Sequence, residues 1–146
     1  MKKNIAILII LILTIGWDSC NWGAGSYSNA KYYILHTDVD TLINKISSFS
    51  EKYNIKTTTE VDNLNFYYAS FYIATDRVIL STIINLHQKD NYRENSTIGL
   101  YGFIEFAKTD SAKFHTIESV TKERKKEVCE IFETAILDNL GEWQKK

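Results

Sequence analysis

Residues 65–75 read Asn-Phe-Tyr-Tyr-Ala-Ser-Phe-Tyr-Ile-Ala-Thr. Aromatic and β-branched side chains suit a pleated, half-buried surface better than a helix, so this stretch predicts a central strand. Side chains alternate between faces along a strand. Period two therefore puts Phe66, Tyr68 and Tyr72 on one face and Tyr67, Phe71 and Ile73 on the other. Large rings on both faces imply a sheet that is packed on one side and still presents aromatic surface on the second. Asp62-Asn63 before the stretch and Asp76 after it read as turns, because Asp and Asn bond their own local backbone.

The neighbouring segments extend the sheet. Arg77 to His87 carries Val78, Ile79, Thr82, Ile83 and Ile84 and reads as the hairpin partner. Gln88 to Ser96 is a polar loop, and Thr97 to Ala107 is a further strand. Gly99 and Gly102 within it mark a bulge or a close backbone approach. Lys108 to Glu118 shows no clear periodicity. Upstream, Ile55 to Val61 is Thr-rich and reads as an edge strand, and Lys31 to His36 as the first strand.

Two helices complete the pattern. Thr37 or Asp38 caps the first, with Thr37 and Asp40 approximating a capping box. Its apolar stripe is Val39, Leu42, Ile43, Ile46, Phe49 and Tyr53. Asn54 fits its stop. Ser119 or Thr121 caps the last helix, whose stripe is Val128, Ile131, Phe132, Ala135, Ile136 and Leu140, with Gly141 ending it. The order β-α-(β)-β-β-β-α predicts an α+β fold. The expected architecture is an antiparallel sheet of about four to five strands with two amphipathic helices packed on one face.

The N-terminus has a different character. Met1-Lys2-Lys3 is followed by an apolar run from Ile5 to Ile15 and by Gly16-Trp17-Asp18-Ser19-Cys20. A basic start, a short apolar core and a small residue before the end make an export signal. The run is too short to span a bilayer, which takes roughly twenty residues. It resembles a bacterial lipoprotein signal peptide over residues 1–20. Ser19 matches the small residue of that pattern, and Trp17 and Asp18 depart from it. The resemblance implies removal of 1–19, lipid on the Cys20 thiol, and a membrane partner reached through that N-terminal lipid. Several acyl chains hold a protein at a membrane without help from a basic patch. Asn21, in place of Asp after the cysteine, implies the outer membrane. Ordinary cleavage near Gly23-Ala24-Gly25 would instead leave a soluble secreted or periplasmic protein. Residues 20–30 are rich in Gly, Ser and Asn and read as a flexible tether. Residues 31–146 make one domain of ordinary size.

Composition narrows the function classes. The net charge of −1 lacks the basic footprint of a nucleic-acid binder. With Cys20 acylated, Cys129 has no disulfide partner in the chain and reads as a small buried apolar residue on a helix. His36, His87 and His115 are solitary, without zinc-site spacing. His36 lies near Asp38 and Asp40, where a strand-end histidine beside a helix cap is the plain account. Asp38, Asp40, Asp62, Asp76, Asp90 and Asp110 fit turns. A glycosidase would need two carboxylates facing each other across a cleft. Calcium loops, phosphate-cradling glycine loops and the Gly-x-Ser-x-Gly elbow are missing. Lys122 to Glu127 reads as a solvated helix face, with Lys126 and Glu130 spaced to pair. No metal or cofactor is expected.

The remaining lead is aromatic. Tyr67, Tyr68, Tyr72 and Tyr101 are candidate binding residues, since tyrosine buries area while its hydroxyl stays wet. The expectation is a lipid-anchored cell-envelope protein with a small non-catalytic interaction domain and a protein partner. By analogy, one version is an immunity-type protein that neutralises a toxin. The alternatives are an envelope hydrolase with an unrecognised site and a structural subunit of an envelope complex. Intact-mass analysis of the membrane-extracted protein should give a chain beginning at diacylglyceryl-Cys20, and Cys20→Ser should abolish the lipid. An unmodified Met1, or a lipid-free product trimmed downstream, overturns the assignment.

Overall fold

The computed structural model describes residues 29–87, 94–107 and 111–146. The signal segment, Cys20, most of the tether, Asp90 and Asp110 lie outside the described residues. In chain order the elements are β1 (Lys31–Leu35), α1 (Val39–Ser47), α2 (Phe49–Tyr53), β2 (Thr57–Val61), β3 (Phe66–Ile73), β4 (Val78–Asn85), β5 (Ser96–Phe106) and β6 (Ala112–Thr116). Then come α3 (Lys122–Phe132), a π-helical turn (Glu133–Leu137), α4 (Asp138–Leu140) and β7 (Trp143–Lys145).

The fold is α+β. Its seven described strands form one sheet in the order β2-β3-β4-β5-β1-β7, with β6 also beside β5. Every pairing is antiparallel. The expected four to five strands fall short by β6 and β7. Strand β6 is mostly exposed, so no apolar alternation announces it, and its pairing with Gly102–Phe106 holds it in place. Strand β7 is three residues long and exists through pairing with β1.

Local signals place the helices. The Asp38 carboxylate accepts from the Thr41 amide at 2.9 Å, satisfying an amide that the first turn leaves free. Thr121 caps α3 in the same way, accepting from the Arg124 amide at 3.2 Å. Asn54 ends α2 in the left-handed region at φ 54°. Both helical segments pack on one face of the sheet. There Leu42, Ile46, Phe49, Phe132, Ile136 and Leu140 share a core with Tyr33, Phe71, Leu80, Ile98, Leu100 and Phe103. The π turn inserts an extra residue into the last helix. It leaves Ile131 and Ala135 only half-buried and brings Leu137 into the core beside Ile136.

Strand β5 carries the bulge that its glycines announce. Ser81 faces Gly102 while Thr82 faces Leu100, leaving Tyr101 as the extra residue. A Cβ on Gly102 would stand 2.7 Å from the His115 carbonyl oxygen and 2.6 Å from the Phe114 ring. On Gly99 it would meet the Tyr32 ring at 2.7 Å and an Ile83 methyl at 3.2 Å, side-chain atoms rather than backbone. Gly102→Ala should therefore cost about 1–3 kcal/mol of stability, as overpacking does. Gly99→Ala should cost less. Chemical denaturation of the two variants checks the ranking.

Candidate functional site: the uncovered face of the sheet

Strand alternation sends Phe66, Tyr68, Ser70 and Tyr72 of β3 to the face opposite the helices, and no described helix lies across it. Phe66 and Ile83 are nonetheless 6% and 2% exposed there. Tyr101, the extra residue of the bulge, lies on the same face, and β6 adds Phe114. The rings form a row. Phe66 and Tyr68 have centroids 6.5 Å apart, Tyr68 and Tyr101 6.3 Å, and Tyr101 and Phe114 6.4 Å. Tyr68 meets Tyr101 at 86°, the edge-to-face geometry that aromatic quadrupoles favour. Tyr72 and Phe106 make a second perpendicular pair at 6.0 Å. Tyr72 is 36% exposed and Phe114 50%, so apolar surface reaches solvent at both places.

A hollow of about 390 Å³ opens beside this row, lined by Thr58, Thr59, Glu60, Asp62, Tyr68, Ser70 and Tyr101. Asp62 organises one wall. Its Oδ1 accepts from the Leu64 and Phe66 amides, both at 2.9 Å, and its Oδ2 accepts from the Tyr68 hydroxyl at 3.0 Å. The Phe66 amide, with help from Tyr68 and Leu64, holds the carboxyl below its ordinary value of 3.8. Asp62 is thus an anion at neutral pH, and it orients the Tyr68 ring. Glu60 stands beside it with an exposed carboxylate.

Three of the four tyrosines expected to bind, Tyr68, Tyr72 and Tyr101, meet on this face. Tyr67 does not. It is 5% exposed in the helix-side core, and its hydroxyl has no hydrogen-bond partner there. Sequence reasoning missed Phe114, because residues 108–118 show no strand period. It also missed the pairing of Glu60 with Asp62 in one hollow. The period of β2 alone places Glu60 on the same face as Thr58, a usable signal once β2 is accepted as a strand.

The histidines lie elsewhere. His115 Nε2 is 3.3 Å from Glu105 Oε2, and its ring stacks on Phe103 with centroids 5.2 Å apart. Glu105 also pairs with Arg124, which reaches Glu127 at 2.8 Å and lies 5.6 Å over the Phe103 ring. This network ties α3 to the β5–β6 hairpin. Among the described residues it includes no hydroxyl or thiol nucleophile. His36 contacts Asn95 at 3.1 Å in a shallow depression with Asp138 and Trp143, while Asp38 is occupied as a helix cap. His87 is exposed. Among the described residues, no three His, Cys, Asp or Glu side chains gather closely enough to hold a metal ion.

Cys129 is half-buried, and burial pushes its thiol up, which suits an inert packing role. Next to it the Tyr33 hydroxyl donates to Glu133 at 3.0 Å, and Lys145 reaches the same carboxylate at 3.0 Å. Burial also raises the Tyr33 phenol well above its ordinary value, so it stays a donor.

Comparison with protein-family models and with curated proteins gives no match.

Because the folded Asp62 carboxyl sits below its ordinary 3.8, its stabilising contribution is fully present above that value. It is lost as pH falls through the depressed value. Asp62→Asn should therefore destabilise the protein at neutral pH. The difference from the parent chain should shrink in acid titrations followed by circular dichroism.

Proposed function

We propose that this chain is a non-catalytic interaction protein. It docks a protein partner on the uncovered sheet face and is held at the bacterial cell envelope by lipid on Cys20. The observation that carries this reading is the row Phe66–Tyr68–Tyr101–Phe114 on a face over which no described helix lies. Phe114 in this row and Tyr72 beside it reach solvent, and exposed aromatic surface edged by polar groups is the usual anatomy of a protein-binding patch. The partner's surface would offer apolar side chains to Tyr72 and Phe114 and hydrogen-bond donors to Glu60. An outer-membrane site follows from the N-terminal resemblance. An immunity-type role, in which the partner is a toxin, is one version of the same reading.

A hydrolase would need a nucleophile beside an acid–base group. Among the described residues the His115–Glu105 pair has no hydroxyl or thiol nucleophile in its network and is held by Arg124, which favours binding over chemistry. A structural-subunit role would show as one stoichiometric partner on chemical crosslinking.

Hydrogen exchange of the full chain with and without detergent-solubilised envelope extract tests the docking face. Protection is expected in β3, β5 and β6 and not on the solvent side of α3. Phe114→Ser and Tyr72→Ser together should remove it. Absence of sheet protection, or protection that survives the double variant, overturns the reading.

A further inference from the structure

Among the described residues strand β2 ends the sheet on one side, and its far edge pairs with no described strand. Its partner bonds show which way its backbone points. The Tyr72 amide donates to the Lys56 carbonyl at 2.9 Å, and the Asp62 amide donates to the Phe66 carbonyl at 3.0 Å. Hydrogen bonds to a given neighbour recur at every second residue of an antiparallel strand. The backbone groups of residues 56, 58, 60 and 62 therefore serve β3. Those of Thr57, Thr59 and Val61 point outward.

Among the described residues the usual protections of this edge are missing. Natural edges are blunted by proline, lysine, bulges or a covering element. The chain contains no proline, Thr57–Val61 contains no lysine, and the β2–β3 register is unbroken. Thr58 to Val61 are exposed, and Val61 is 56% exposed.

The side chains select a partner. Pairing outward groups with outward groups restricts self-pairing to registers in which odd residues face odd residues. With Thr59 opposite Thr59, the whole strand overlaps. Thr57 then faces Val61, Thr58 faces Glu60, and Lys56 faces Asp62. The charges complement one another twice, once on each side of the axis. Shifting the register toward the C-terminus puts Glu60 opposite Glu60, and like charges facing each other across a ladder destabilise it. Shifting the other way removes part of the overlap.

We propose that two copies of this chain associate by antiparallel pairing of β2 with β2 about a twofold axis through Thr59. The two sheets become one continuous sheet. An axis perpendicular to it leaves both aromatic faces uncovered and on the same side. The inference does not depend on what those faces bind.

Disulfide mapping tests the register. In a hydrogen-bonded antiparallel pair the opposed Cα atoms are about 5.5 Å apart, within disulfide reach. Thr59→Cys should therefore form a dimer on mild oxidation of the full chain in dodecyl maltoside. Thr57→Cys should not, since its two copies would be about 14 Å apart at the rise of a strand. Both variants keep Cys20 and Cys129, so the contrast between them reports position 59. Equal crosslinking of the two, or none above the unsubstituted chain, overturns the proposal.

Thr59→Pro removes an amide that β3 does not use, so it should fold and sediment as a monomer. A folded Thr59→Pro dimer, or a parent chain that stays monomeric up to its solubility limit, also overturns the proposal. Should that variant fail to fold, Lys56→Glu decides instead, because it sets like charges opposite Asp62 and should weaken the dimer several-fold. An unchanged association there counts against the proposal.

Discussion

Strand β5 is bonded along both edges, and the rest of the fold is arranged around that constraint. On one side it pairs with β4. On the other it pairs with β1 over Ser96–Leu100 and then with β6 over Gly102–Phe106. The change of neighbour on that edge falls at Tyr101, the residue that the β4–β5 register skips. The bulge also reverses parity. Ile98 and Leu100, at even positions, point into the core before it. Phe103, at an odd position, points into the core after it. Because the side-chain period is two, one inserted residue exchanges the faces. Without it Phe103 would leave the core.

The described helices cover one side of the sheet. The segments α1, α2 and α3 with its π extension all spend their apolar stripes on the same face. Lys45 on α1 reaches the Leu140 carbonyl at 2.6 Å, and the Tyr53 hydroxyl reaches the Asn139 carbonyl at 3.1 Å, so the two helical segments are also tied to each other. The second face is left with its own rings. Those rings close over the glycines of β5, Tyr32 over Gly99 and Phe114 over Gly102. The face is therefore ordered before any partner arrives, which reduces the entropy cost of binding.

Charge is divided between two regions of the molecule. The Glu105–Arg124–Glu127 network, with His115, sits where α3 meets the hairpin and is satisfied internally. The carboxylates of Glu60 and Asp62 sit at the opposite end of the sheet order, beside the open aromatic row. The first arrangement fastens elements together. The second leaves an acidic, hydroxyl-lined hollow facing solvent, next to the edge strand.

Residue order by itself determined the strands with strong local patterning, the stop at Asn54 and the division of Tyr68 and Tyr72 from Tyr67, and it narrowed the caps to Thr37 or Asp38 and to Ser119 or Thr121, of which the structure uses Asp38 and Thr121. These follow from period and from side-chain bonding to the nearby backbone, which need no distant partner. Only the tertiary structure decided that β6 and β7 exist, β6 through pairing with the neighbouring β5 and β7 through pairing with β1, far away in the chain. It alone decided which residue of β5 is bulged, how Tyr101 and Phe114 come to share a face with Tyr68, and that Glu60 and Asp62 border one hollow. Those outcomes depend on register between segments, and register is set by the burial of whole faces rather than by any short stretch of residues.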